Sequence, residues 1–172
     1  AEISLLPAET KDGKTVELFA NVGNIEDIKN ALPHHIDGIG LFRTEFLYME
    51  NDHFPTEEEQ FAVYKEAAEL LEGKEVIIRT LDIGGDKELS YFDFGQEENP
   101  FLGYRAIRIC LDKEEVFKTQ LRALLRASAY GNIRIMYPMI ISVEELDRAN
   151  ELLEICKSEL RAGGKAFNED IV

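Results

Sequence analysis

Two hydrophobic rhythms alternate along this chain. Apolar residues crowd together at 16–22, 38–42, 76–80 and 133–137, the length and spacing of strands. After each run the apolar positions return every three or four residues, which places them on one face of a helix. The pattern predicts helices over 25–32, from Thr56, from Asp112 and from Ser142. Thr56-Glu-Glu-Glu59 has capping-box spacing, and Phe61, Tyr64, Ala68 and Leu71 follow on one face; in such a box the hydroxyl and the third carboxylate exchange bonds with each other's amides. Asp112-Lys-Glu-Glu115 is expected to cap the next helix, with Phe117, Leu121, Leu124, Leu125 and Ser128 on one face and Gly131 as its stop. Ser142-Val-Glu-Glu145 opens the last, carrying Leu146, Ala149, Leu153, Cys156 and Leu160 up to Gly163-Gly164. Between the third strand and the following long helix, residues 83–98 hold Gly84-Gly85, Gly95, Tyr91, Phe92 and Phe94, which predicts a small hairpin or ordered loop.

Consecutive strand and helix units joined by short connections imply an α/β fold with a parallel sheet and right-handed crossovers. Such a sheet is either an open doubly wound domain or part of a (β/α)8 barrel, which needs eight units and about 250 residues. Four units in 172 residues make half of one. The expected organisation is a leading extension over 1–14 and a partial barrel domain over 15–172, ending before a fifth strand at Ile171-Val172.

Composition narrows the classes. A 45 % hydrophobic and 31 % charged chain is globular rather than disordered. Its apolar runs are far short of the roughly 20 residues of a membrane helix, and no secretory leader is visible, so a cytoplasmic location is expected. A net charge of -15 argues against nucleic acid or an anionic membrane as partner. The only cysteines, Cys110 and Cys156, lie in helical patterns without metal or redox spacing and are expected to be buried thiols. His34 and His35 close a helical stretch and His53 sits in a polar loop; none carries a metal or nucleophile pattern.

Three arginines stand out against the acidic background. Arg43 ends Gly38-Ile-Gly-Leu-Phe-Arg43, Arg79 ends Val76-Ile-Ile-Arg79, and Arg105 ends Asn99-Pro-Phe-Leu-Gly-Tyr-Arg105. A guanidinium offers fixed donors that match a phosphate or carboxylate two at a time. Convergence on one polyanion is one reading. Separate pairing with nearby acids, Glu45, Asp82 or Asp86, is the other. Gly84-Gly85 likewise either supplies a positive-φ turn or turns amides toward a phosphate. Gly38-Ile-Gly40 lacks the third glycine and the acidic residue of a dinucleotide fingerprint.

Longer motifs carry a resemblance. Gly38-Ile-Gly-Leu-Phe-Arg-Thr-Glu-Phe-Leu-Tyr-Met49, Pro55-Thr-Glu-Glu-Glu-Gln-Phe61, Arg79-Thr-Leu-Asp-Ile-Gly-Gly-Asp-Lys-Glu88, Glu98-Asn-Pro-Phe-Leu-Gly-Tyr-Arg-Ala-Ile-Arg108, Gln120-Leu-Arg-Ala-Leu-Leu-Arg-Ala-Ser128 and Ile135-Met-Tyr-Pro-Met-Ile140 together span nearly the whole chain. They resemble the Enzyme I family of the bacterial phosphoenolpyruvate-dependent sugar phosphotransferase system, at the start of its C-terminal phosphoenolpyruvate-binding (β/α)8 barrel. The resemblance implies a phosphoenolpyruvate-protein phosphotransferase, which moves phosphate from phosphoenolpyruvate to its own histidine and then to the phosphocarrier protein HPr. It makes Arg43 and Arg79 phosphate-gripping residues, and Lys87 and Arg105 further cations lining the pocket. It implies magnesium as cofactor and a homodimer, with residues 83–104 contributing to the dimer interface.

In the same family the magnesium-binding carboxylates and the proton-donating cysteine lie on later strands, and the phosphorylated histidine lies in a preceding domain. The chain is therefore expected to be a piece covering the first half of the barrel, inactive alone, with no catalytic residue or metal ligand of its own. Two other readings remain: a phosphoenolpyruvate synthase or pyruvate phosphate dikinase, which shares the barrel and the arginine motifs, and a non-catalytic dimerisation or binding module. The unbroken Pro55-Thr-Glu-Glu-Glu-Gln60 and Asn99-Pro-Phe-Leu-Gly103 segments favour Enzyme I over the dikinases.

Overall fold

Strands β1 (Phe19–Val22), β2 (Gly38–Arg43), β3 (Glu75–Arg79) and β4 (Ile133–Met136) run parallel in one sheet in chain order. The computed structural model describes residue 6 and residues 8–84, 89–92 and 103–172. Six helices connect or follow the strands: α1 (Ile25–Ala31), α2 (Glu45–Met49), α3 (Glu57–Leu70), α4 (Ile107–Asp112), α5 (Glu114–Ala127) and α6 (Val143–Ala162). Crossovers of one hand put the helices on one face of the sheet. There α1 packs on α3, α3 on α5 and α5 on α6. The sheet is half of a (β/α)8 barrel, and the barrel is not closed.

β3 follows the period-two rule, and β2 departs from it by one residue where its register shifts between Ile39 and Phe42. Ile39, Phe42, Val76, Ile78 and Ile133 are buried against the helices. The alternate positions, including Glu75, Ile77 and Arg79 of β3, turn to the concave face. On that face Phe19 lies across β2, where a Cβ on Gly38 or Gly40 would come within 2.6 or 3.0 Å of its ring or Cβ. The two glycines of Gly38-Ile-Gly40 therefore make room for an aromatic ring.

β1 starts at Phe19 instead of at residue 16. Asp37 takes the place of a strand partner for Leu18, its carboxylate accepting from the Leu18 amide at 2.6 Å while its own amide donates to the Leu18 carbonyl at 2.7 Å. Further upstream Val16 N–H bonds to the Ala8 carbonyl, and Glu9 bridges Thr15. At the opposite edge the Ile135 amide donates to the Val172 carbonyl at 2.8 Å, so the last residue already lies along β4.

Helix caps decide the helix starts. Asn24 caps α1, Thr56 and Glu59 form the full capping box of α3, and Ser142 caps α6. Asp112 is not the cap of α5. It ends α4, and its carboxylate accepts from the Tyr104 hydroxyl and pairs with Lys113, which is the cap position and makes no side-chain cap bond. α5 ends at Ala127, ahead of Gly131, with the Ser128 hydroxyl bonded to the Leu125 carbonyl. The buried face of α6 is Ala149, Leu152, Cys156 and Leu160, whereas Leu146 is exposed and Leu153 half-buried. Phe61 is half-buried as well, and the Arg126 guanidinium lies 4.0 Å from its ring centre.

After β3 the described part of the insertion folds back on the barrel. Leu89 bridges Phe92 in antiparallel fashion, the Tyr91 hydroxyl donates to the Tyr48 carbonyl at 2.8 Å, and the Phe54 ring meets Tyr91 and Phe92 edge-on. Gly85, Phe94 and Gly95 lie outside the described residues. Cys110 and Cys156 are free and buried, and burial pushes the Cys156 thiol up to about 12 and that of Cys110 higher still. Both serve as small apolar groups.

Candidate functional site

β2 and β3 each end on an arginine, and the ladder sets the two side by side. Arg43 and Arg79 are register partners, and β3 in turn pairs Arg79 with Met136 of β4. Residues in register on neighbouring parallel strands share a face, so both arginines stand at the C-terminal rim of the concave side. Loops at this rim are where (β/α)8 enzymes assemble their sites.

Arg79 is braced by acids. One terminal nitrogen lies 2.5 Å from Glu45 Oε1 and the other 2.9 Å from Asp82 Oδ2. Asp82 uses its second oxygen on Arg105, 3.0 Å away, which makes it a bridge between two arginines. Glu45, Asp82 and Arg105 are all buried. Paired ions of this kind keep their geometry because each would be costly to leave alone in the interior. Arg43 makes no ion pair among the described residues and lies 5.2 Å over the Phe46 ring. Its Nε, like that of Arg79, is buried without a hydrogen-bond partner among those residues.

Both sequence readings of the arginines are thus realised in part. Arg79 and Arg105 pair with acids, while Arg43 makes no ion pair among the described residues. The Nε donors of Arg43 and Arg79, unmet among those residues, suit an anion with several oxygens. Asp86 and Lys87 lie outside the described residues.

Gly84 holds Arg105 in place. Its φ is +125°, and a Cβ there would meet the Arg105 Cβ at 2.5 Å. The Ala106 amide then bonds to the Ile83 carbonyl at 3.0 Å. This glycine serves a positive-φ turn together with a close backbone approach.

A buried polar network lies behind the arginines. Gln120 of α5 accepts from the Leu81 amide at 2.9 Å and donates to Thr44 Oγ1 at 3.2 Å and to the Tyr64 hydroxyl at 3.1 Å. Thr44 Oγ1 donates to the Arg79 carbonyl at 2.8 Å. The Tyr64 and Tyr48 hydroxyls both donate to Gln60 Oε1, and Gln60 Nε2 donates to the Pro55 carbonyl. Burial pushes both phenols well above their ordinary range, so they remain donors. Thr44, Gln60 and Gln120 escape a search for charged motifs. One signal is available: Gln120 falls within the stripe of Phe117, Leu121 and Leu124, a polar residue on an otherwise apolar face.

Among the described residues no group of three or more His, Cys, Asp or Glu is placed to hold a metal ion. Glu45 and Asp82 are engaged by the arginines.

The family model for the PEP-binding domain of PEP-utilising enzymes matches residues 1–172. The phosphoenolpyruvate-protein phosphotransferase of Bacillus subtilis is 55 % identical over 165 residues, which is 96 % of this chain and 29 % of the relative. Its namesake in Haemophilus influenzae is 53 % identical over 171 residues, 99 % of the chain and 30 % of the relative. That in Staphylococcus carnosus is 54 % identical over 162 residues, 94 % of the chain and 28 % of the relative. The chain spans under a third of the length of these curated relatives. The chain belongs to the PEP-utilising enzymes, matching the family's PEP-binding domain over residues 1–172.

Proposed function

We propose that this chain supplies the phosphate-gripping part of a phosphoenolpyruvate site, and that the full-length protein carrying it is a phosphoenolpyruvate-protein phosphotransferase. The observation that carries this reading is the register pairing of Arg43 with Arg79 at the open rim. When the bond from the enol oxygen to phosphorus breaks, charge spreads over the phosphoryl oxygens and builds on the enolate. Cations already fixed at both places stabilise that state without reorganising. Arg43 and Arg79 hold the phosphoryl group, Arg105 acts through Asp82 to orient Arg79, and Lys87 adds a further cation. The names of the relatives support the phosphotransferase reading over the dikinase one.

The wider role follows the same reading: phosphate passes to the protein's own histidine and then to HPr, in the cytoplasm, in a homodimer. Magnesium and the proton donor belong to segments outside this chain, as does the acceptor histidine, and residues 1–14 lead into the domain at 15–172. The 172-residue chain by itself is expected to bind phosphoenolpyruvate at millimolar strength or weaker, and to release no pyruvate.

The test is kinetic, on the full-length protein. Arg79→Ala is expected to lower turnover of phosphoenolpyruvate by roughly 30-fold or more, since losing a buried charge-assisted contact costs about 2 to 5 kcal/mol. Arg79→Lys is expected to recover little, because the two-pronged geometry is lost. Near-normal kinetics in both variants would refute the assignment.

A further inference from the structure

Gln120 touches none of the three arginines through its side chain, yet its amide group reaches the backbone on both sides of them. Its Oε1 takes the amide of Leu81, which lies between Arg79 and Asp82 in the chain. Its Nε2 holds Thr44 Oγ1, next to Arg43, and Thr44 passes its own proton to the Arg79 carbonyl. The C-terminal ends of β2 and β3 are thus tied to one side chain on α5, at a point where the Arg79 carbonyl is bonded by a hydroxyl.

The amide has one workable orientation. The Leu81 amide can only donate, so an oxygen must face it. Thr44 Oγ1 and the Tyr64 hydroxyl spend their protons on the Arg79 carbonyl and on Gln60, so an NH2 must face them. Turning the group over would oppose donor to donor at Leu81 and acceptor to acceptor at Thr44. Each buried polar atom in the chain from Pro55 to Leu81 is satisfied in one arrangement only, which rigidifies the backbone it holds.

We propose that Gln120, acting through Thr44 and Leu81, is a positioning residue that sets the relative orientation of Arg43, Arg79 and Asp82 for a phosphoryl anion. The proposal rests on the phosphoenolpyruvate reading given above. A guanidinium pair grips a phosphate only over a narrow range of angles, and small displacements of binding groups cost much of their effect.

The experiment is a double-mutant cycle in the full-length protein, measuring the dissociation constant of phosphoenolpyruvate and, separately, the thermal midpoint. Gln120→Met keeps the volume and removes the bonds; it is expected to weaken binding about tenfold, within the range for residues sharing one network. In an Arg79→Ala background the same change is expected to cost under twofold. As a second probe, Thr44→Ser keeps the hydroxyl and is expected to bind at least three times more tightly than Thr44→Val. Leu124→Ala, a core truncation in the same helix, supplies a loss of thermal midpoint without a loss of affinity. Unchanged affinity in both Gln120→Met and Thr44→Val would overturn the proposal, and so would an equal cost of Gln120→Met with and without Arg79. If Arg79→Ala alone leaves phosphoenolpyruvate binding intact, the reading beneath the proposal fails, and that result is separate from any Gln120 measurement.

Discussion

Arg43 and Arg79 face each other across the β2–β3 ladder as Cα partners. Neighbouring strands lie about 4.8 Å apart, and like charges directly opposite one another destabilise a sheet. Glu45 and Asp82 pair with Arg79, while Arg43 makes no ion pair among the described residues and lies beside Phe46.

Inorganic phosphate should therefore raise the thermal midpoint of the 172-residue chain by a few degrees more than chloride at equal ionic strength. At ten times its dissociation constant a ligand stabilises by about 1.4 kcal/mol, and about 1 kcal/mol moves the midpoint of a domain this size by roughly 2 to 4 °C. Arg43→Met should abolish the difference. Calorimetric scans showing the same gain in the variant would place the anion elsewhere.

Asp82→Asn should be among the most damaging single changes in the domain. It removes the carboxylate shared by Arg79 and Arg105 and leaves two mostly buried guanidinia with one partner fewer. Breaking such a pair costs about 3 to 5 kcal/mol. Glu58→Gln, which loosens a pair whose acid is exposed and leaves Arg126 its second partner Glu57, should change less. Urea midpoints of the two variants compare them, and equal midpoints would show that Asp82 is not a structural bridge.

The isolated chain should self-associate at tens of micromolar. Phe19 and Met136 project from the concave side and are 40 % and 37 % exposed, and β1 and β4 are the outer strands of the sheet, with a single bond to Val172 along β4. Exposed strand edges and apolar surface favour pairing. The charge of -15 is screened beyond about 8 Å at physiological salt. Phe19→Ser should shift sedimentation toward monomer, and a wild-type chain that stays monomeric would contradict the expectation.

His53 should titrate above its ordinary value near 6.5. Its ring bonds first to the Asp52 carboxylate and also to Glu59, and both favour the protonated form. Because the folded-state value is raised, the stabilising effect is complete below the unfolded value of about 6.5. It fades as pH climbs through the higher folded value. Proton NMR of the His53 ring reports this directly, and Asp52→Asn should move the midpoint down; no movement would remove Asp52 as the cause.

Local signals along the chain were enough for the alternation of strands and helices, the capping box at Thr56 and the Ser142 cap, because each depends on spacing within one segment. The same alternation pointed to a parallel sheet with one-handed crossovers but left a doubly wound domain and a barrel both open; the family resemblance chose the half-barrel. The short α2 was not legible as an element, having too few turns to display a period, α4 showed only as a helical pattern around Cys110, and β1 was overextended because Asp37, a distant residue, ends its pairing at Leu18. Arginines at strand ends could be read as candidates, but both fates of those arginines were open. Long-range packing set much of the outcome: Asp82 pairs with Arg79 from three residues on, but Glu45 reaches it from another segment, Gly84 admits Arg105, and Gln120 crosses from another helix to hold the backbone between Arg79 and Asp82. Pairing of charges and of buried hydrogen bonds depends on three-dimensional distance: Arg79 and Glu45, 34 positions apart, and Gln120 and Thr44, 76 apart, meet here at hydrogen-bond distance.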